Sequence, residues 1–508
     1  MYLITIDRDS GRPLGRQIVE SVIEGIEAGH LGPGDPLPAT RRLASELGVS
    51  RFTAEQAYEE LWAEGYVEAR QGSATRVRMR PPAARPAASG PSTGSPEAFL
   101  RPGLEEVLGS AYEAARPPRA LKPGDLDFGR FNLDPRLYPV ADFRRALDRV
   151  LARDPAEALS YGPPEGNARL RTAIARRMTE HGVATGPEGV VITDGALHGL
   201  DLAFRLLLSP GGSFLCEAPT FPGALVLGRV SGLRALGVAM DGEGIVVKDL
   251  VAACDREVAE GRPAPSVLYT MPSFHNPTGS LQGQARREAV LAACSRRNIV
   301  VVEDCFEEEL GFSGKRAKPL SAMDGEGRVI YAGSFSKVLF PGVRAGWLAT
   351  TPAFAGRLAR LRAATGVAGN SLSQAALAEF MESGAYEAHV RRLNRAFARR
   401  FGKAVEVFGR EVPAALARLR LPAGGYLLWA ELLPGRGLSG RAAGKVEARA
   451  VKACAEAGLV VAPGSPFWPG EVGGPCLRLS IAGRDEAEIE EGLGRLGRAL
   501  RRELSGIA

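Results

Sequence analysis

Gly333-Ser334-Phe335-Ser336-Lys337 follows an apolar strand-like run, Arg328-Val329-Ile330-Tyr331, and is the most informative stretch of the chain. A lysine in a Ser/Gly-rich turn after a buried strand is partly desolvated, as an amine that attacks a bound carbonyl must be. Arg344 follows seven residues later on a glycine-bounded turn. Serine hydroxyls donate single hydrogen bonds and a guanidinium donates a pair, so the stretch predicts a phosphate site. On this stretch alone, a solvated loop lysine is the alternative. The candidate residues are Ser334, Ser336, Lys337 and Arg344.

From about residue 104 onward, apolar strand-like runs alternate with helical patterns. Near-continuous β-branched strands separated by helices predict a mostly parallel sheet covered on both faces, with ligands beyond the carboxyl ends of its strands. Asp304 ends the run 299–303, where an aspartate pairs with a protonated pyridine nitrogen. Asn276 follows the run 266–270, where an amide donates to a ring hydroxyl. A helix cap and an ordinary Asn-Pro turn are the alternatives.

A third strand-to-helix junction, Gly195-Ala196-Leu197, follows the run 189–193. The free amides and the dipole at a helix start bind phosphate, so the amides of Ala196 and Leu197 are further candidates.

The first 78 residues have a different pattern, with a helix over 14–28, a short helix after Pro38 and a third helix capped by Ser50. Two strands, 66–70 and 75–78, follow them. Three helices and a hairpin predict a winged helix-turn-helix.

The remaining boundaries follow from composition. Residues 79–103 are rich in Pro, Ala, Gly and Ser and predict a flexible linker. Residues 104–508 form the second domain. Within it, a long helix from about residue 390 and strands near 425–431 and 476–481 predict a smaller α+β part.

Composition excludes several classes of protein. Among 508 residues, 45% are hydrophobic and 24% charged, which excludes a wholly disordered chain, a coiled coil and a collagen-like chain. The chain has no apolar run of 18 residues and no signal-peptide pattern, so we expect a cytoplasmic protein that does not contact the membrane. Six cysteines without a CxxC pair and five scattered histidines predict free buried thiols and no metal site.

The net charge of +6 favours nucleic acid as a partner, but residues 1–80 hold ten arginines, no lysine and twelve acidic residues. DNA binding by this segment therefore depends on where its arginines lie.

The order of these motifs resembles the fold type I aminotransferases, which bind pyridoxal 5′-phosphate (PLP). The resemblance implies that Lys337 forms the Schiff base with PLP and that the other candidates named above hold its ring and phosphate. Three more segments match: Ala158-Leu159-Ser160-Tyr161-Gly162, Glu217-Ala218-Pro219-Thr220-Phe221 and Cys476-Leu477-Arg478-Leu479-Ser480. They imply that Tyr161 reaches the neighbouring subunit's phosphate, that Phe221 stacks on the ring and that Arg478 grips a substrate or effector carboxylate.

The N-terminal segment resembles the GntR-type winged helix, on Leu37–Arg41, Leu47–Thr53, Ala57–Leu61, Glu64–Tyr66 and Gly72-Ser73. The DNA-binding residues that this resemblance implies are Arg41, Ser50, Arg51, Thr53, Gly72 and Ser73. Phe52 stands where the family often has asparagine, and it either contacts a thymine methyl or packs. We expect Glu55 to point away from the DNA or to accept from a cytosine amine.

A GntR head, a linker and an aminotransferase-like body are the architecture of the MocR/GabR/PdxR-like bacterial regulators. The implied fold is multidomain: a winged helix-turn-helix followed by an α/β PLP-dependent transferase of fold type I. The implied function is that of a homodimeric transcription regulator, which binds double-stranded operator DNA and senses PLP or a PLP–amino acid adduct. An active PLP-dependent aminotransferase with a DNA-binding head is the alternative, and a PLP-binding scaffold without sensing is the third.

Three departures from the family pattern bear on that choice. Phe306 stands where the family often has a tyrosine that bonds the ring oxygen. Leu197-His198 replaces the usual Gln-Gln of the phosphate turn, so backbone amides must make that contact. Gly223 replaces the second carboxylate-binding arginine of the GABA-responsive member. We therefore expect slow transamination and no response to GABA.

Overall fold

The computed structural model describes residues 4–8, 10–68, 74–78, 103–115, 121–311, 317–422 and 424–504, with residues 110–115 as backbone only. The chain divides into two compact units, Met1–Leu100 and Arg101–Ala508. The predicted linker, residues 79–103, lies outside the described residues except for Gly103.

The N-terminal unit has the predicted three helices and hairpin. Its elements are α1 (Leu14–Glu27), α2 (Thr40–Leu47), α3 (Arg51–Ala63), β1 (Val67–Glu68) and β2 (Arg76–Val77). The two strands pair antiparallel. β2 is shorter than the predicted run 75–78, and the Thr75 carbonyl and both backbone groups of Val77 bond to the loop 34–37. Apolar residues of all three helices and both strands form one core.

The larger unit alternates helices and strands. Its helices are α4 (Leu104–Ala115), α5 (Val140–Arg153), α6 (Pro155–Leu159), α7 (Ala168–Glu180), α8 (Ala196–Leu207), α9 (Pro222–Val230), α10 (Val247–Ala259), α11 (Gln284–Arg296), α12 (Pro352–Gly366), α13 (Ser371–Glu382), α14 (Ala385–Glu411), α15 (Gly440–Glu456) and α16 (Glu486–Leu504). Its strands are β3 (Leu126–Asp127), β4 (Val190–Thr193), β5 (Ser213–Ala218), β6 (Arg234–Asp241), β7 (Gly244–Ile245), β8 (Val267–Thr270), β9 (Val300–Asp304), β10 (Val329–Ser334), β11 (Gly346–Ala349), β12 (Ala417–Arg420), β13 (Leu427–Leu432), β14 (Leu459–Val460), β15 (Ala462–Pro463) and β16 (Cys476–Ser480).

The central sheet has eight strands in the order β4-β11-β10-β9-β8-β5-β6-β7. The strands from β10 to β6 pair parallel, which confirms the mostly parallel sheet. β11 runs antiparallel to both of its neighbours, which the sequence pattern did not indicate. The segment between β10 and β11 is too short for the helical crossover that a parallel pair needs, so the chain turns back.

A second sheet of four antiparallel strands, β12-β13-β16-β15, forms the smaller α+β part. Its strands contribute residues to the same core cluster as α14, α15 and α16. All six cysteines of the chain lie within the described residues, buried and without a disulfide bond. Among the described helices, none combines the length and the apolar composition that crossing a membrane requires.

Candidate functional site

Several of the predicted cofactor-site residues lie at one edge of the central sheet. Asp304 ends β9, and Asn276 and Lys337 follow β8 and β10, so the three residues lie at the carboxyl ends of three adjacent parallel strands. Because β11 runs antiparallel, its amino end lies at the same edge, and Arg344 precedes it by two residues. The unexpected direction of β11 therefore brings Arg344 to the carboxyl ends of the other strands.

Lys337 is largely buried and meets an aromatic ring. Its Nζ donates a hydrogen bond to the carbonyl oxygen of Phe131 at 2.8 Å and lies 4.3 Å from the centroid of the same ring. Burial lowers the pKa of Lys337 to about 8, opposed by the negative charge of Glu307. The amine thus has a larger neutral fraction at neutral pH than a solvated lysine has, as a nucleophile requires.

Asp304 is buried at the end of β9. Its Oδ2 accepts a hydrogen bond from the Tyr269 hydroxyl at 2.7 Å, and its Oδ1 has no partner among the described residues. Burial raises the pKa of Asp304 to about 6, and the Tyr269 hydrogen bond opposes that rise. A buried carboxyl with one unused oxygen is suited to a cationic ring nitrogen.

A glycine turn connects β4 to α8 at the predicted phosphate site. Gly195 has φ of 106° and supplies no capping side chain, so the first amides of α8 remain available to a ligand. Arg344, itself at φ of 45°, donates from Nη2 to the carbonyl oxygen of Asp194 at 2.5 Å. Arg344 thus lies beside the start of α8, and the structure brings together the two halves of the predicted phosphate site.

His198 turns back onto the same junction. The Asp194 amide donates to its Nδ1 at 3.1 Å, and the pKa of the Asp194 carboxyl is lowered by His198 and by the guanidinium of Arg362. His198, which stands where the family usually has glutamine, is therefore hydrogen-bonded within the turn 194–198.

The two predicted serines are buried next to each other. The Oγ of Ser334 accepts from the Ser336 amide at 3.2 Å, whereas the Ser336 Oγ has no partner in the part of the chain that the structure describes.

Arg478 is buried and faces two rings. Its guanidinium carbon lies 5.3 Å from the ring centroids of both Phe131 and Phe467, and its Nη2 donates to the Gly129 carbonyl. Its Nε has no hydrogen-bond acceptor within the described ranges. Burial lowers the pKa of Arg478 to about 10. Because the ring of Phe131 lies against both Arg478 and Lys337, these two cations belong to one site.

Two predicted residues lie differently. Tyr161 is 89% exposed, so this chain alone does not bring it to Lys337. Phe221 is half-buried at the N-cap of α9. A Cβ on Gly223 would lie 2.3 Å from the Cζ of Phe221, so an arginine at 223 is incompatible with this position of the ring.

Three residues next to the site were not predicted from the sequence. Phe131 lies in the loop before α5, more than 200 residues from Lys337, and nothing in its local pattern marks it. Glu307 follows Asp304 by three residues and is fully buried, which raises its pKa to about 8. Of the three, Tyr269 is the one that the sequence could have indicated, because it is a polar aromatic residue within the apolar strand β8.

The residues around Lys337 fit PLP by a test independent of motif. Among the buried polar atoms without a hydrogen-bond partner in the described structure, four belong to predicted site residues: Asn276 Oδ1, Asp304 Oδ1, Ser336 Oγ and Arg478 Nε. Buried polar groups are normally paired, so such a group of atoms indicates a polar ligand. The Asp304 carboxyl suits a ring nitrogen, the Asn276 amide oxygen can accept from a ring hydroxyl, and the Ser336 hydroxyl and the Arg344 guanidinium suit a phosphate, which are the polar groups of PLP.

In the N-terminal unit, the predicted DNA residues lie at the helix-turn-helix. Ser50 caps α3 by accepting from the Thr53 amide at 3.0 Å, and its hydroxyl lies 2.8 Å from that of Thr53. Arg51 donates from Nε to Glu55 Oε1 at 2.7 Å. The Glu55 carboxylate is therefore held by the arginine one turn earlier, and its orientation relative to DNA stays a prediction.

Arg41 is exposed at the second position of α2, and its side chain has no ion pair or hydrogen bond with any described residue. Gly72 and Ser73 lie outside the described residues. In the part of the chain that is described, no cluster of three His, Cys, Asp or Glu side chains has the arrangement of a metal site.

Each of the two units matches a known protein family. The gntR family of bacterial regulatory proteins matches residues 14–77, and aminotransferase class I and II matches residues 125–496. The chain is 32% identical to the HTH-type transcriptional regulator TauR of Rhodobacter capsulatus, over 96% of each chain. It is 31% identical to the probable rhizopine catabolism regulatory protein MocR of Rhizobium meliloti, over 78% of each.

A solved aminotransferase has the same fold as the larger unit. It is LysN, the α-aminoadipate aminotransferase of Thermus thermophilus, complexed with N-(5′-phosphopyridoxyl)-L-leucine. The match has a TM-score of 0.69 and 33% identity, and it covers 80% of this chain and 98% of that one.

Proposed function

Because this chain belongs to the MocR-like transcriptional regulators, which join a GntR helix-turn-helix to an aminotransferase class I and II domain, we propose that it regulates transcription in response to PLP or a PLP–amino acid adduct. One observation carries the proposal: the buried, unpartnered polar atoms next to Lys337 occur on the same chain as a GntR helix-turn-helix.

When bound, PLP supplies an aldehyde for Lys337 and an electron-withdrawing ring for an attached amino acid. Lys337 would hold it covalently through Nζ, and Asp304 and Asn276 would hold the ring, stacked on Phe221. The proposed phosphate contacts are Ser334, Ser336, Arg344 and the amides of Ala196 and Leu197. Arg478 would pair with the carboxylate of an amino acid effector.

The protein's own groups favour retention of a bound ligand over turnover. Phe306 is buried with its ring 5.6 Å from that of Phe131 and offers no hydroxyl to a ring oxygen. A group that would tune proton transfer at the reacting atoms is thus replaced by an apolar contact, while the groups that bind remain. A sensor requires a bound state that persists and biases a conformational equilibrium.

A homodimer with sites shared between subunits is part of the proposal. Tyr161 supports it, because an aromatic with a hydroxyl that is 89% exposed in one chain is available to a second chain.

An active aminotransferase is the second candidate. The lowered pKa of Lys337, to about 8, favours it, because a reactive amine must be neutral part of the time. Multiple turnover distinguishes the two candidates. The test incubates the purified protein with PLP, each proteinogenic amino acid and 2-oxoglutarate, and measures keto-acid formation beside binding to duplexes selected from a random pool.

The regulator proposal expects a selected duplex sequence and at most slow keto-acid formation. Rapid multiple turnover with no selected duplex would support the aminotransferase instead. If the protein selects a duplex but no ligand changes its affinity for that duplex, the result would support the third hypothesis, a PLP-binding scaffold without sensing.

A further inference from the structure

The outward face of the recognition helix carries a phenylalanine. Phe52, the second residue of α3, is 67% exposed. The residues of α3 that face the core are Ala54, Ala57, Tyr58 and Leu61. At about 100° per residue, Phe52 projects about 170° from the mean direction of those four. It therefore lies on the face that points directly away from the protein, and the packing alternative for this residue is wrong.

The polar side chains next to Phe52 are already engaged within the helix. Ser50 and Thr53 bond to each other and to the Thr53 amide. Arg51 is paired with Glu55. At the amino-terminal turn of α3, where a recognition helix meets base edges, the largest free surface is therefore the Phe52 ring.

An exposed aromatic there has one specific partner on a base edge. In the major groove, thymine presents its C5 methyl group, and the other three bases present hydrogen-bonding groups without an apolar one. An apolar protein surface is a poor alternative occupant, because Arg41 on the neighbouring helix α2 is exposed and suits a phosphate.

We propose that Phe52 is a specificity-determining residue that contacts the C5 methyl of a thymine in each half-site of the operator. This inference rests on the proposed DNA-binding function and adds to it the base that one side chain recognises. It predicts that a thymine is required at one position for its methyl group rather than for its hydrogen-bonding edge.

Uracil provides the direct test, because it differs from thymine only by that methyl. Duplexes are selected from a random pool with the full-length wild-type chain, and each thymine of the selected sequence is then replaced singly by uracil. Wild type, Phe52→Ala and Trp62→Ala are titrated against every duplex. Trp62 is a matched control, an aromatic 63% exposed on the same helix and about 15 Å further along it.

At one thymine per half-site, we expect uracil to weaken wild-type binding about fourfold, the equivalent of about 0.8 kcal/mol for one buried carbon group. Phe52→Ala should bind the thymine and uracil duplexes equally, and Trp62→Ala should keep the fourfold difference. Equal wild-type affinity for all single-uracil duplexes, or a difference that persists in Phe52→Ala, would overturn the assignment. Failure of the wild type to select any sequence would instead contradict the proposed function itself.

Discussion

The Tyr269 hydroxyl donates a 2.7 Å hydrogen bond to Asp304 Oδ2 across two adjacent buried strands. This bond stabilises the ionised form of a carboxyl whose pKa burial raises to about 6. Since an ionised Asp304 is what would pair with a protonated ring nitrogen, Tyr269 would act on the proposed PLP through Asp304 rather than by contact.

Replacing Tyr269 by phenylalanine should weaken PLP binding. Without the donor, the pKa of Asp304 rises above about 6, so less carboxylate is present at neutral pH. At neutral pH we expect a loss smaller than about 1.5–3 kcal/mol, the usual worth of a hydrogen bond to a charged group, because part of the Asp304 population stays ionised. Spectroscopic titration at several pH values measures it. Wild-type affinity should fall as pH drops through about 6, and that fall should begin at higher pH in Tyr269→Phe. Matching pH profiles would remove Tyr269 from the account.

The attachment of PLP to Lys337 should depend on pH with a midpoint near 8. Only the neutral amine attacks an aldehyde, and burial lowers the pKa of Lys337 to about 8. Attachment, followed by the visible absorption of the bound cofactor, should therefore accelerate as pH rises through that value. Glu307, whose own pKa is raised to about 8, is partly ionised in this range and favours the ammonium form, so in Glu307→Gln the midpoint should move to lower pH. Lys337→Ala should fold and show no such band. A midpoint near that of a free lysine would contradict the burial argument.

Gly346→Ala should loosen the turn at the predicted phosphate site. A Cβ at this position would lie 2.7 Å from the Gly333 carbonyl oxygen and 3.0 Å from the Ala196 amide nitrogen. Because these are backbone atoms, β10 and the start of α8 must both move away from β11. Overpacking of this kind costs about 1–3 kcal/mol. Gly342→Ala is the control, because its nearest neighbour would lie 3.9 Å away. Thermal unfolding and PLP retention should both change in the first variant only. Unaltered PLP retention in Gly346→Ala would show that this turn does not hold the phosphate.

Arg41 and Arg51 should contribute differently to DNA binding. Arg41 lies on the first helix of the helix-turn-helix, which crosses the backbone, so Arg41→Ala should weaken all duplexes alike and lower the salt slope by about one. Arg51 lies on the recognition helix, and Arg51→Ala should cost about 1–3 kcal/mol on the selected sequence only. Arg12→Ala is the control, since Arg12 precedes α1 and belongs to neither helix of the helix-turn-helix. Full affinity in both variants, measured by salt-dependent titration, would remove the helix-turn-helix from the account.

The sequence predicts those site residues that follow a strand. Lys337, Asp304 and Asn276 each come after an apolar run, and parallel strands bring such positions to one edge. Phe131 was not predictable, because it reaches Lys337 from a distant loop whose path depends on the tertiary packing. The direction of β11 also had no periodic signal, although the short connection after β10 carries the information.

The DNA side shows a different limit. The caps and core positions of α3 follow from local pattern, and Ser50, Ala57 and Leu61 lie where the pattern places them. The pairing of Arg51 with Glu55 depends on side-chain conformation, which a spacing of four residues permits without requiring.

The central claim is that cofactor occupancy at Lys337 changes the affinity for operator DNA. Its most direct measurement is titration of the selected duplex with the cofactor-free and the PLP-saturated protein, in parallel with Lys337→Ala. A coupling of 1–3 kcal/mol, typical of allosteric proteins, predicts an affinity change of about 5- to 150-fold in the wild type and none in Lys337→Ala. Superimposable isotherms for the cofactor-free and PLP-saturated wild type, with PLP bound to the latter, would contradict the claim.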